Sequence, residues 1–241
     1  MRRAVLLDAL GTLVELQPPA SRLRGLLAES GFEVSEERAE AGFAAEISYY
    51  LEHHLEGSDR ERLDNLRDRC AAAMMEALEL PGLDHATTRR AMLGSLEFSP
   101  YPDALEGLAE LRSRGHRLVV VSNWDCSLPD WLGSTGLLEL VDGVVTSAEV
   151  GAAKPDPKVF QQALVLAGVD GAGAVHVGDS MENDVGGARA AGIRAILVRR
   201  DGDAAAPQAS ASARLASAPG APNGPTEVET VRALTELPAL L

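Results

Sequence analysis

The stretch Leu118-Val119-Val120-Val121-Ser122-Asn123-Trp124-Asp125 sets an unbroken aliphatic run directly against a polar cluster. A short apolar run bounded this way predicts a strand buried on both faces, as in a parallel sheet covered by helices on both sides. Just upstream, Ala104, Leu105, Leu108 and Leu111 recur at helical spacing, and Gly115 closes that helix before the strand begins. Downstream the alternation repeats, with strand signals at 143–146, 174–177 and 193–198 and helical signals at 158–167 and 184–191. A further apolar run at 3–8 opens the chain and ends in Asp8. Strands alternating with helices imply right-handed crossovers, so the expected fold is α/β, a Rossmann-like core of five parallel strands. Ligands of such sheets gather at the carboxyl ends of the strands.

Between the first strand and this alternating region the pattern changes. Residues 18–99 carry apolar positions at three- and four-residue steps, among them Leu23, Leu26, Leu27, Phe43, Ile47, Tyr50 and Leu51, with no strand signal. They predict an inserted helical domain, broken by Pro81-Gly82, which leaves 1–17 and 100–241 to the core. Residues 201–225 are rich in Ala, Ser, Pro and Gly and are expected to form a flexible loop. After them, Val231, Leu234 and Leu237 suggest a final helix docking on the core.

The 241 residues are 46% hydrophobic and 24% charged, an ordinary globular composition that excludes collagen-like and disulfide-scaffold classes. With 22 Lys+Arg against 36 Asp+Glu the net charge is −14, so neither nucleic acid nor an anionic membrane is an expected partner. Cys70 and Cys126 lie in separate segments without metal-ligand spacing and read as reduced thiols. The start Met1-Arg2-Arg3 leads into a run that Asp8 interrupts, unlike a signal peptide, and no apolar stretch reaches membrane-spanning length. The expected compartment is the cytoplasm. Oligomeric state is left open.

Polar clusters follow several strands. Asp8-Ala9-Leu10-Gly11-Thr12-Leu13 places a carboxylate at a strand end before a glycine turn, where backbone amides can face an anion. An aspartate before glycine is also an ordinary turn former. Ser122 and Asn123 offer a hydroxyl and amides to phosphate oxygens, or a helix cap. Asp179 and Asp184, in Gly178-Asp179-Ser180-Met181-Glu182-Asn183-Asp184, supply the hard oxygens that suit Mg²⁺, or cap the next helix. Lys154 sits in the proline-stiffened loop Lys154-Pro155-Asp156-Pro157, as a surface lysine or as a neutraliser of charge. His176 reads as a core or sheet-face residue, His53-His54 as part of an insert helix, and Cys126 as a thiol without a base.

In this order, these segments resemble the haloacid dehalogenase superfamily of hydrolases, in the subfamily whose helical cap is inserted after the first strand. The likeness rests on Ser122-Asn123-Trp124-Asp125, on Ser147 through Pro157, on His176 through Ser180 and on Gly186 through Gly192. It implies a nucleophilic role for Asp8, phosphate contacts from Ser122 and Asn123, and charge neutralisation by Lys154. It also implies a Mg²⁺ site from Asp8, the Leu10 carbonyl, Asp179 and Asp184, with a small phosphorylated metabolite as substrate. Trp124 is expected near the cap–core cleft, packing or touching substrate.

One departure matters. Phosphatases of this family carry a second aspartate two residues after the nucleophile, as acid and base, where this chain has Leu10. A general acid is typically worth ~10²–10⁴ in rate, so alkyl phosphates should suffer more than aryl phosphates, whose leaving group departs without a proton. Asp125 and Glu15 are candidate replacement acids, with helix capping the alternative role for Asp125. A non-acid at position 10 also suits a metal-independent 2-haloacid dehalogenase, while the acidic loop at 179–184 favours Mg²⁺ and phosphoryl chemistry. A third alternative is a binding protein of this fold with weak catalysis.

Overall fold

The side chains of the first strand, β1 (Ala4–Leu7), are completely buried and divide between two cores. Val5 and Leu7 join Leu118, Val120, Val175 and Val177, whereas Ala4 and Leu6 join Val119, Val121 and Phe160. This period of two within a continuous apolar run is what a strand covered on both faces requires. The computed structural model describes residues 4–200 and 228–241.

Short segments β2 (Val14–Leu16) and β3 (Phe98–Pro100) pair antiparallel where the chain leaves and re-enters the core. Between them lie α1 (Pro19–Glu29), α2 (Glu36–His53), α3 (Arg60–Leu78) and α4 (His85–Ser95). Ser35, Asp59 and Asp84 cap the last three by accepting from backbone amides three residues on. Their apolar stripes meet in a third core, which includes Leu23, Leu27, Phe43, Leu66 and Met74.

The remaining strands are β4 (Arg117–Ser122), β5 (Gly143–Thr146), β6 (Ala174–Gly178), β7 (Arg194–Val198) and β8 (Glu229–Val231). With β1 they form one sheet in the order β5-β4-β1-β6-β7-β8, every pair parallel. Helices α5 (Ala104–Ser113) and α6 (Leu128–Ser134) supply the Val5 side. The four-residue α7 (Ser147–Val150) follows β5; α8 (Pro157–Ala167) and α9 (Gly187–Ala190) cover the opposite face. Since β1 lies between β4 and β6, the strand order reverses there, and the carboxyl ends of these strands are where ligands of such sheets gather.

The Rossmann-like α/β architecture is as expected, but the sheet has six strands rather than five. The sixth, β8, occupies part of the tail read as a helix. Its Glu-Thr-Val segment pairs with β7, and the steps of three from Val231 to Leu234 and Leu237 lead into a 3-10 turn, Leu234–Ala239. The helix expected over 184–191 is a wide turn of i→i+5 type at Met181–Gly186 followed by the short α9. The β2–β3 pair went unread because three residues are too few to show a period. The flexible loop expected at 201–225 lies outside the described residues.

Candidate active site

The backbone brings three carboxylates and one ammonium together at the strand-order reversal. Asp8 follows β1, and its amide donates to the Val177 carbonyl of β6 at 2.9 Å, which fixes where its side chain emerges. Ser122, the last residue of β4, donates its hydroxyl to Asp8 Oδ1 at 2.9 Å. Lys154 Nζ reaches Asp8 Oδ1 and Asp184 Oδ1, each at 2.6 Å, while carboxylate oxygens of Asp8, Asp179 and Asp184 lie within 4.8 Å of one another. Lys154 and Asp8 are each 5% exposed and Asp184 only 1%.

The loops are built to hold this arrangement. Asn123 clamps the backbone of Lys154, donating from Nδ2 to its carbonyl at 3.0 Å and accepting its amide at Oδ1 at 2.7 Å. Both bonds of this side chain thus serve the lysine rather than an exterior partner. Asp184 accepts from the Ser180 amide at 2.9 Å and contacts His176 Nε2 at 2.8 Å. Gly11 sits at φ +82, and a Cβ there would fall 2.4 Å from Asp179 Oδ2. At Gly178 a Cβ would fall 2.2 Å from Asp184 Cγ. Glycine is therefore required at both positions for the carboxylates to approach the backbone.

The charges do not balance. Burial, reinforced by Asp184, pushes Asp8 above the usual carboxylate range against the pull of Lys154. Burial and then the neighbouring Asp8 and Asp184 push Asp179 up to about 8. Burial opposes the charge of Asp184 as well, but Lys154 and His176 hold it below the ordinary value. Burial likewise disfavours the ammonium of Lys154, yet Asp184 and Asp8 outweigh that and raise its pKa. The three converging carboxylates form a hard-oxygen donor set that fits a divalent cation such as Mg²⁺.

Among the described residues, the other sequence candidates make no hydrogen bond or ion pair with these carboxylates or the lysine. Asp125 is buried, and its oxygens accept from the Tyr50 phenol at 2.9 Å and the Ser127 amide at 2.7 Å. Glu15 is exposed on β2, paired in register with Ser99. Trp124 is buried in the core, its ring 4.9 Å from that of Phe98. Leu10, two residues after Asp8, is 37% exposed. The Cys126 thiol is pushed up by burial and then by Asp125, which disfavours a thiolate.

Two contacts made by site residues escaped sequence reasoning. His176 is indeed fully buried in β6 with its ring edge against Phe160, but it also meets Asp184. A lone histidine in an aliphatic strand leading into an acidic loop was the available signal. Tyr50, on α2, reaches Asp125 across 75 positions of sequence, for which no local signal exists.

Comparison with known proteins bears on this geometry. A family model described as haloacid dehalogenase-like hydrolase matches residues 2–192. The haloacid dehalogenase-like hydrolase domain-containing protein 3 of Bos taurus is 49% identical over 87 residues, 36% of this chain and 35% of that protein. Phosphoserine phosphatase of Thermus thermophilus is 41% identical over 119 residues, 48% of this chain and 47% of its own length. Such matches span between about a third and a half of these curated relatives. The crystal structure of a HAD phosphatase from Thermococcus onnurineus superposes with a TM-score of 0.61 at 25% identity, covering 100% of this chain and 97% of that one.

Proposed function

Because the chain belongs to the haloacid dehalogenase-like hydrolases, we propose that it is a Mg²⁺-dependent phosphatase of a small phosphorylated metabolite, acting through an aspartyl-phosphate on Asp8. The observation that carries this reading is the convergence of Asp8, Asp179 and Asp184, with the buried Lys154 bridging the first and the last. Mg²⁺, held by these three carboxylates and the Leu10 carbonyl, would supply the positive charge that a phosphate dianion beside Asp8 requires.

The remaining steps belong to the chain. An Asp8 carboxylate oxygen bonds to phosphorus as the bond to the leaving oxygen breaks. Lys154 offsets charge on nucleophile and phosphoryl group, while the Ser122 hydroxyl and the Asn123 backbone amide hold a phosphate oxygen. Trp124 packs beneath that loop. Helices α1–α4 act as a cap that excludes water during transfer. Water then attacks phosphorus as the bond to Asp8 breaks, restoring the Asp8 carboxylate, and both hydrogens of the water leave on the dihydrogen phosphate. With Leu10 in place of an acid, leaving groups that depart unprotonated react best. Of the two proposed replacement donors, Asp125 lies beside Ser122-Asn123, already bonded to Tyr50 and Ser127, and Glu15 faces solvent.

Leu10 also favours a second reading, metal-independent halide displacement from a 2-haloacid, since halide needs no proton. Absence of turnover on both kinds of substrate would leave the third, a binding protein of this fold with weak catalysis. The cytoplasm is the proposed compartment; among the described residues no helix is long and apolar enough to cross a membrane.

The test is aryl phosphate hydrolysis with Mg²⁺ and with chelator, beside an Asp8→Asn variant. Metal-dependent turnover abolished in the variant is expected. Turnover no greater than in the variant overturns the phosphatase reading and directs the assay to halide release.

A further inference from the structure

Residues 12 and 13, in the turn that follows Asp8, are completely buried, so their carbonyls need partners from the protein. The turn closes on itself through the Ala9 carbonyl, which accepts from the amides of Thr12, Leu13 and Val14 at 3.3, 2.8 and 2.9 Å. The outward carbonyls are met from elsewhere. Leu13 accepts from the Tyr101 amide at 3.0 Å, and Thr12 accepts from a guanidinium nitrogen of Arg200 at 2.6 Å.

Arg200 lies beyond β7 and beyond residues 2–192, which the family model matches. Its other terminal nitrogen donates to Asp103 Oδ1 at 2.6 Å, and its Cζ stacks 4.2 Å from the Tyr101 ring centroid. The side chains of this ion pair are 8% and 17% exposed. Asp103 in turn accepts from the Leu234 amide, tying in the C-terminal segment, and the Arg199 amide donates to Val231 of β8 at 2.9 Å. A planar fork spans two acceptors in fixed directions, as a lysine cannot.

We infer that Arg200 is a positioning residue: it holds the Thr12 carbonyl, and thereby sets the turn carrying Asp8 and the Leu10 carbonyl. The inference rests on the reading of Asp8 as nucleophile and of this turn as part of a metal site. A turn released at Thr12 leaves the Leu10 peptide held only from within the turn, where the Gly11 amide donates to the Val14 carbonyl at 2.9 Å, and this loosens both the nucleophile and the cation that the turn helps to hold.

The test compares the full chain with Arg200→Lys, which keeps a charge beside Asp103 without the fork, and with Arg200→Ala, with and without added guanidinium. In chelator, amides of residues 11–14 should exchange about tenfold faster in Arg200→Lys, with residues 118–121 unchanged. Mn²⁺ affinity and kcat for an aryl phosphate should each fall about tenfold while KM holds, and guanidinium should restore part of the loss in Arg200→Ala. Unchanged exchange at 11–14 overturns the inference. So does faster exchange with parental Mn²⁺ affinity and kcat, the signature of a strap that only stabilises. If the parent protein neither turns over nor binds Mn²⁺, the phosphatase reading fails, and exchange at 11–14 still decides whether Arg200 sets the turn.

Discussion

The Tyr50 phenol donates to Asp125 Oδ2 at 2.9 Å and accepts from the Asp125 amide at 3.3 Å, so one side chain of the helical insert holds both ends of a core residue. The neighbouring Cys126 amide donates to the Gly57 carbonyl at 2.9 Å, a second bond from insert to core. Asp125 follows Ser122 by three positions and Asn123 by two. The loop that touches Asp8 and clamps Lys154 is thus the same loop that docks the insert.

Removing that phenol should uncouple the two. Tyr50→Phe keeps the ring but leaves a buried Asp125 oxygen without its donor, at a cost of ~1–3 kcal/mol in chemical denaturation. A double-mutant cycle with Asp125→Asn should give a coupling of ~0.5–3 kcal/mol, whereas independent effects would give none. If Asp125 is the proton donor, Asp125→Asn should additionally lower turnover of alkyl phosphates more steeply than of aryl phosphates.

His176 fixes the orientation of Asp184 from the buried side of the sheet. If Asp184 holds the cation as proposed, His176→Ala should weaken Mn²⁺ binding by ~10–100-fold, since partners of a ligating carboxylate matter nearly as much as the ligand. A Mn²⁺ titration followed by electron spin resonance measures this directly, with the urea unfolding midpoint recorded on the same sample.

Leu10 is half-exposed, so its replacement by a shorter acid meets little steric resistance. Leu10→Asp should raise turnover of an alkyl phosphate by ~10²–10⁴ and narrow its disadvantage relative to an aryl phosphate. Initial rates across a series of leaving groups test this; a flat response would mean that proton transfer does not limit the reaction.

Within the insert, Glu46 is buried on α2 and burial pushes its carboxyl up to about 7 from an ordinary 4.5, despite a hydrogen bond from Cys70. The raised value means the folded state prefers the protonated form. Its contribution to stability is therefore full below about pH 4.5 and is lost as pH rises to about 7. At about 1.4 kcal/mol per pH unit the loss is roughly 3 kcal/mol. Urea unfolding of Glu46→Gln should show a shallower decline over this window and greater stability than the parent at pH 8.

Sequence alone determined the alternation of strands and helices, the helical stretch after the first strand, and the polar clusters at strand ends. These are local facts: an aliphatic run such as Leu118–Val121 can be buried on both faces only in a covered sheet, and Asp8, Ser122 and Asp179 must then emerge where such strands end. The same local logic misread the tail, because steps of three suit a 3-10 turn as well as an α-helix, and a three-residue edge strand is defined by its partner β7. Only the tertiary structure decided that Lys154 bridges Asp8 and Asp184, that Asn123 serves Lys154, that His176 meets Asp184, and that Tyr50 and Arg200 reach the site's loops from outside its motifs. Apart from His176 and Asp184, only eight positions apart, these contacts join residues that strand order or docking of the insert brings together. Their energy comes from burial, where an ion pair or an orphaned carbonyl weighs far more than in water.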